Sequence, residues 1–302
     1  MTPTLFDAHT HTQFAAFGED QDAVIRRALD AGVWMVNVGT QRDTSAAAVA
    51  GAARYPEGVY ATVGLHPVHT EQSYHDAQEL GEAQSPASSL FAYSRELGTN
   101  EGDKNQQRSG FMSRGEEFDY EYYKKLAQDP KVVAIGECGL DYYRIKNQES
   151  GVKQERAFRA QIQLAQELHK PLMIHCRNAF SDLIAVLASC FLIRDSRSPG
   201  IVHFFTGTKD DAKALLDLGF SFSFGGVITF ARDYDEVVRY LPLERIITET
   251  DAPYVAPARI RGTRNEPTSV VDVVEAIAQI RGEDMEAVRT AVVANARRLF
   301  AI

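Results

Sequence analysis

A (β/α)₈ barrel is the fold this sequence predicts. Eight short apolar runs recur along its 302 residues. Most are unbroken rather than alternating, as parallel strands buried on both faces require. Segments with a helical apolar stripe separate them. The length suits one such barrel, so residues 1–302 read as a single domain. A doubly wound open sheet is the other arrangement compatible with the same alternation.

The first run, "LFDAHTH" (5–11), leads into "DAVIRRALDAG". There Val24, Ile25, Ala28 and Leu29 line one helical face, and Gly32 stands where a C-terminal cap belongs. "WMVNVGT" (34–40) and "YATVGLH" (60–66) give strands two and three. The rhythm then breaks. Residues 83–118 are rich in Ser, Gly, Asn, Gln and charge and read as an inserted flexible loop, after which a helix resumes around "DYEYYKKLAQ". Strand four is "VVAIGE" (132–137), and the helical "QERAFRAQIQLAQELH" carries the chain to "PLMIHC" (171–176). "IVHFF" (201–205), the helix in "DDAKALLDLG", "FSFSFGG" (220–226) and "IITETD" (246–251) complete the count.

The formal charge of −9 argues against a protein that grips duplex nucleic acid through a general basic field. It does not exclude a nuclease, because metal ions and a few local arginines can supply the positive charge. No apolar run is long enough to cross a bilayer, and "MTPTLFDAHT" lacks the basic and apolar regions of a signal peptide. Cys138, Cys176 and Cys190 are an odd number without paired short spacing, so no disulfide framework is expected. A reduced, cytoplasmic setting with no membrane and no obligate protein partner follows as the expectation.

His9 and His11 lie two apart in the first strand, which turns both imidazoles to one side. His66, His175 and His203, with Glu137 and Asp251, also fall at or near the C-terminal ends of predicted strands. In a (β/α)₈ barrel those ends converge on one mouth. Barrel interiors favour Val, Ile and Leu, so this many polar groups around one rim is costly unless a charge binds there. Imidazoles together with carboxylates suit first-row divalent ions. Strands one and eight meet where a barrel closes, so His9, His11 and Asp251 are assigned to one metal. His175 and His203, on strands five and six, are assigned to the other, with Glu137 as the bridge. Asp251 is placed to orient a water and take its proton. His66 is not needed as a ligand and is free to contact phosphate or leaving oxygen. Cys138 and Cys176 each follow a ligand and therefore face the core.

The segments "FDAHTH", "GLHP", "AIGECGLDYYR", "PLMIHCR", "HFFTG", "ETDAPY" and "RGTRNEP" occur in an order that resembles the TatD family of metal-dependent hydrolases, within the amidohydrolase superfamily. The resemblance covers nearly the whole chain outside 83–118. It implies a barrel with two divalent ions (zinc, manganese, magnesium or iron) and a deoxyribonuclease acting as an exonuclease on DNA ends. The substrate it implies is single-stranded DNA or another phosphodiester. It gives His9, His11, Glu137, His175, His203 and Asp251 the same ligand roles and His66 a substrate or catalytic one. Four histidines favour zinc, iron or manganese over magnesium, which prefers oxygen. Thr263 stands where similar proteins carry Lys, and "GLHPVH" sets its second His one place late. Arg144, Arg177, Arg261 and Arg264 are candidates for phosphate contacts, Arg264 equally for fixing the last βα loop. The competing activity is hydrolysis of an ester or amide, including aminoacyl-tRNA deacylation, at the same dinuclear site.

Overall fold

The structure, a computed structural model, describes residues 2–71, 74–76, 110–112, 115–143, 147–190 and 199–302. All eight predicted strands are present: β1 (Leu5–Thr10), β2 (Val33–Val38), β3 (Val59–Val63), β4 (Val132–Asp141), β5 (Leu172–Arg177), β6 (Gly200–Val202), β7 (Ser221–Phe224) and β8 (Ile246–Thr248). They form one sheet in chain order, each pair parallel. A parallel bridge between Thr10 and Ala252 joins the two edges. His11 N–H donates to Ala252 O at 2.8 Å and Asp251 N–H to His9 O at 2.8 Å. The sheet therefore wraps on itself, and the open-sheet alternative is set aside.

Helices α1 (Gln21–Asp30), α2 (Arg42–Ala53), α3 (Tyr120–Ala127), α4 (Gln148–Leu168), α5 (Phe180–Cys190), α6 (Lys209–Asp217), α7 (Asp235–Tyr240), α8 (Val270–Arg281) and α9 (Met285–Phe300) surround it. Their starts carry the expected caps: Asp119, Asn147, Thr208 and Asp284 each accept a backbone N–H of the first turn. Gly32, at φ 76°, ends the α1 turn where the sequence places a cap. Most of the predicted insertion lies outside the described residues. Of it, Gly110–Met112 pairs antiparallel with Tyr74–Asp76, and α3 follows as expected.

Two apolar layers position the site. One packs Ile25, Val49, Phe158, Ile162, Leu183, Leu215 and Ile277 of the helices against the strands. The other joins Phe6, Val36, Val133, Met173, Ile201 and Ile247, from six different strands, with Phe300 of α9. Residues from strands so far apart in the sheet meet only inside the barrel. His175, His203 and Glu249 each lie two residues beyond Met173, Ile201 and Ile247, which sets them on the same side, above this layer.

Several boundaries differ from expectation. β6 ends at Val202 and β8 at Thr248, so His203 and Asp251 sit just past their strands rather than in them. β3 ends at Val63, and His66 instead caps a 3₁₀ turn, Pro67–Thr70. β4 runs on to Asp141, which leaves Glu137 in mid-strand.

Candidate metal centre

Glu137 is the hub. Its Oε1 lies 2.9 Å from His203 Nε2, 3.1 Å from His175 Nδ1 and 3.2 Å from His66 Nε2, and its Oε2 lies 3.4 Å from His9 Nε2. His9 belongs to a second group as well. Its Nε2 is 3.1 Å from His11 Nε2, and Asp251 Oδ1 is 3.4 Å from His11 Nε2 and 3.6 Å from His9 Nε2. The residues the sequence singles out for metal binding thus form one contiguous set. His9 and Glu137 are buried, whereas the His175 and Asp251 side chains remain 19% and 18% exposed, so the open edge of the set runs through these two.

The backbone explains the convergence. Thr250 donates its N–H to Asp7 Oδ1 at 2.8 Å and its hydroxyl to Asp7 Oδ2 at 2.6 Å, tying the segment after β8 to β1. Asp251 follows in the left-handed region (φ 56°), which short polar side chains tolerate best after glycine. This turn presents its carboxylate to His9 and His11. Gly139, at φ 136°, lets β4 and β5 approach: a Cβ there would lie 2.0 Å from His175 O. That approach sets His175 against Glu137.

The family relationships agree with this geometry. The sequence profile of the TatD-related DNase family matches residues 6–301. The chain belongs to this family. The 3′-5′ ssDNA/RNA exonuclease TatD of Erwinia billingiae is 33% identical over 98% of this chain and 98% of its own length. The metal-dependent hydrolase YcfH of Escherichia coli K12 is 39% identical over 63% of this chain and 71% of its own. Among solved structures, that of YjjV, a TatD homologue from E. coli K12, superposes with a TM-score of 0.76 at 25% identity and full coverage of both chains.

In this TatD-family site, the partners of each imidazole decide which nitrogen carries its proton. His11 Nδ1 lies 2.8 Å from Val38 O. A carbonyl only accepts, so Nδ1 donates and Nε2 keeps its lone pair. His175 Nε2 donates to Asp141 Oδ2 at 3.0 Å, leaving Nδ1 toward Glu137. His66 is the opposite case. Its Nδ1 accepts Val68 N–H at 3.2 Å, so Nε2–H is the donor that faces Glu137. Burial pushes the His66 imidazolium down to about 4, so the ring is neutral near pH 7.

Burial alone raises the Glu137 carboxyl, but the attraction of His66, His203 and His9, with the His175 hydrogen bond, more than offsets it and holds the group well below its ordinary range. Burial likewise lowers His175 and His203, yet their carboxylate partners raise both above the usual imidazole value. Each of these close nitrogen–carboxylate pairs offers two donors that a divalent cation could share. His9 Nε2 and His11 Nε2, 3.1 Å apart, are close enough for one cation to share both. The donor set fits divalent metal.

The arginines divide. Arg177, at the end of β5, holds its guanidinium carbon 3.7 Å from the ring centre of Tyr143, an aromatic 43% exposed. Arg261 lies 4.4 Å from the Phe230 ring centre. Arg144 is outside the described residues. Arg264, expected either at a phosphate or in fixing the last βα loop, donates its guanidinium to Asp20 at 2.8 and 2.5 Å, to Ala16 O at 2.9 Å and to Glu266 at 3.2 Å, and covers Phe17. Its donors fasten the last loop to the segment before α1 rather than facing a phosphate. Cys138 and Cys176 are buried, as expected of core residues.

Three carboxylates of the site are not among the sequence candidates: Asp7, Asp141 and Glu249. Each lies an even number of residues from a candidate ligand (His9, Glu137 and Asp251), and that spacing is the signal that finds them.

Proposed function

We propose that this TatD-family protein is a metal-dependent 3′-5′ exonuclease of single-stranded DNA or RNA, acting with two divalent ions held on either side of Glu137. The observation that carries the reading is the position of that one buried carboxylate, in contact with His9 of one group and with His175 and His203 of the other. His9, His11 and Asp251 would hold the first ion, and His175 and His203 the second. Relatives named as 3′-5′ exonucleases over the full length support the substrate class. Zinc, iron or manganese suits the imidazole-rich set better than magnesium does.

Bound there, the ions supply Lewis-acid activation of water and of a phosphoryl oxygen. The protein's own groups do the rest. Asp251, on the open edge, orients the attacking water and accepts its proton. His66, fixed as the Nε2–H donor, hydrogen-bonds a phosphoryl oxygen or protonates the leaving oxygen. Arg177 and Arg261 are the rim groups proposed to hold the anionic strand. Free, largely buried cysteines fit a reducing compartment, which we take to be the cytoplasm. Among the described residues, no helix is long and apolar enough to cross a membrane.

The test is hydrolysis of a 5′-labelled single-stranded oligonucleotide with Mn²⁺ or Mg²⁺, wild type beside Asp251→Asn. Stepwise shortening from the 3′ end, lost in the variant, is the expected result. No cleavage by protein shown to be metal-loaded, with turnover of an ester or amide panel instead, overturns it.

A further inference from the structure

We propose that Glu249 is a positioning residue shared by both halves of the metal centre, accepting the Nδ1–H of His9 and of His203. It rests on the two-ion reading above. Glu249 is fully buried just past β8, and Ser223 Oγ–H donates to its Oε2 at 2.5 Å. Glu249 Oε1, His9 Nδ1 and His203 Nδ1 are each buried without a hydrogen-bond partner. The nearest approach, His203 Nδ1 to Glu249 Oε1, is 3.6 Å, just beyond hydrogen-bond length. The His9 and His203 rings stack with centres 3.9 Å apart and 15° between planes. One ligand atom from each of the three residues lies within 4.8 Å of the others.

A buried polar atom left unpaired is costly, so three on neighbouring residues mark a relationship rather than an accident. The Nε2 atoms of both rings face Glu137. An imidazole that offers Nε2 to a cation keeps its proton on Nδ1, and that N–H needs an acceptor. Glu249 Oε1 supplies one for both rings, while Ser223 holds the other carboxylate oxygen in place. A third cation bound by these same atoms would instead require both rings to give up their last N–H proton, which neutral imidazole does not do near pH 7. The consequence is specific. His9 stands in one half of the centre and His203 in the other, so a single carboxylate orients a ligand of each.

The experiment is a zinc titration of wild type, Glu249→Gln and Ser223→Ala by chelator competition, with metal content per chain and ¹⁵N spectra of the imidazoles in the loaded protein. Wild type is expected to take two ions, with His9 and His203 protonated at Nδ1. Glu249→Gln should weaken both ions by about 10–100-fold, and Ser223→Ala should weaken both by less. Circular dichroism of the chelated proteins separates this from a fold defect. Should Glu249→Gln not fold, Ser223→Ala, which keeps the carboxylate, carries the test. Unchanged affinity, weakening of one ion alone, or a third ion that Glu249→Gln removes overturns the proposal. A wild type that binds fewer than two ions overturns the dinuclear reading itself, and the proposal with it.

Discussion

Asp141→Asn isolates the tautomer argument. Asp141 Oδ2 accepts from His175 Nε2 at 3.0 Å, and Oδ1 accepts from Tyr143 N at 3.0 Å. Burial raises this carboxyl, and the His175 hydrogen bond and charge more than offset that, so it stays ionised as an acceptor. Asparagine keeps the shape and the Tyr143 bond but turns an amide N–H₂ toward His175 Nε2. The ring proton must then move to Nδ1, the atom 3.1 Å from Glu137 Oε1. Nδ1 can no longer offer a lone pair in the neutral ring. Loss of such an outer partner weakens metal binding by about 10–100-fold, or roughly 1.4–2.7 kcal/mol. The fold loses little, because one buried hydrogen bond is exchanged for another. Unfolding entropy for 302 residues is about 0.6 kcal/mol/K, so a change below about 1 kcal/mol moves the Tm of the chelated protein by under about 2 °C. Chelator competition gives the affinity, and scanning calorimetry with chelator gives the Tm. Affinity within twofold of wild type refutes the reasoning. So does a chelated-state Tm that falls by many degrees, because Asp141 then serves the fold and not the ligand.

Arg264→Ala removes an ion pair with Asp20, a bond to Ala16 O and a contact with Phe17. Discounting the partly exposed pair for solvent screening, the expected cost is about 1–3 kcal/mol. Tm should fall by a few degrees with KM unchanged at 25 °C; a tenfold rise in KM at unchanged Tm would return Arg264 to the substrate. Arg177→Ala should raise KM on oligonucleotides and flatten the slope of log affinity against log salt by about 0.7, the value for one phosphate contact on a single strand. An unchanged slope removes Arg177 from the strand path. Chelating the metal from protein equilibrated with free ion at 100 times its Kd should lower stability by about 2.7 kcal/mol per ion, or about 4 °C each. No shift in a calorimetric scan would mean that the donor cluster binds no metal in the folded state.

The strand count was legible because parallel barrel strands are apolar throughout, and a run such as "PLMIHC" admits few other readings. The candidate ligands were legible because so many histidines and carboxylates at the ends of such runs are costly together unless a charge binds there. What the sequence hides is register. β1 shifts its pairing between Asp7 and Thr10, and β4 shifts between Ile135 and Cys138, around Glu137 itself. A strand assumed to end at Glu137 leaves Asp141 in a loop, and only the longer β4 sets it beside His175. Glu249 is hidden differently. A buried carboxylate has no signature of its own, since its partners, Ser223 and His203, are distant in sequence and meet it only when β6, β7 and β8 pair in order. Arg264 shows the converse. "RGTRNEP" offers a guanidinium, but Asp20 and Glu266 pair with it. Candidate donors can thus be read from strand ends. The outer partners that hold each imidazole depend on pairing, while the Thr250–Asp7 tie, the Gly139 approach and the left-handed turn at Asp251 bring the donors themselves together.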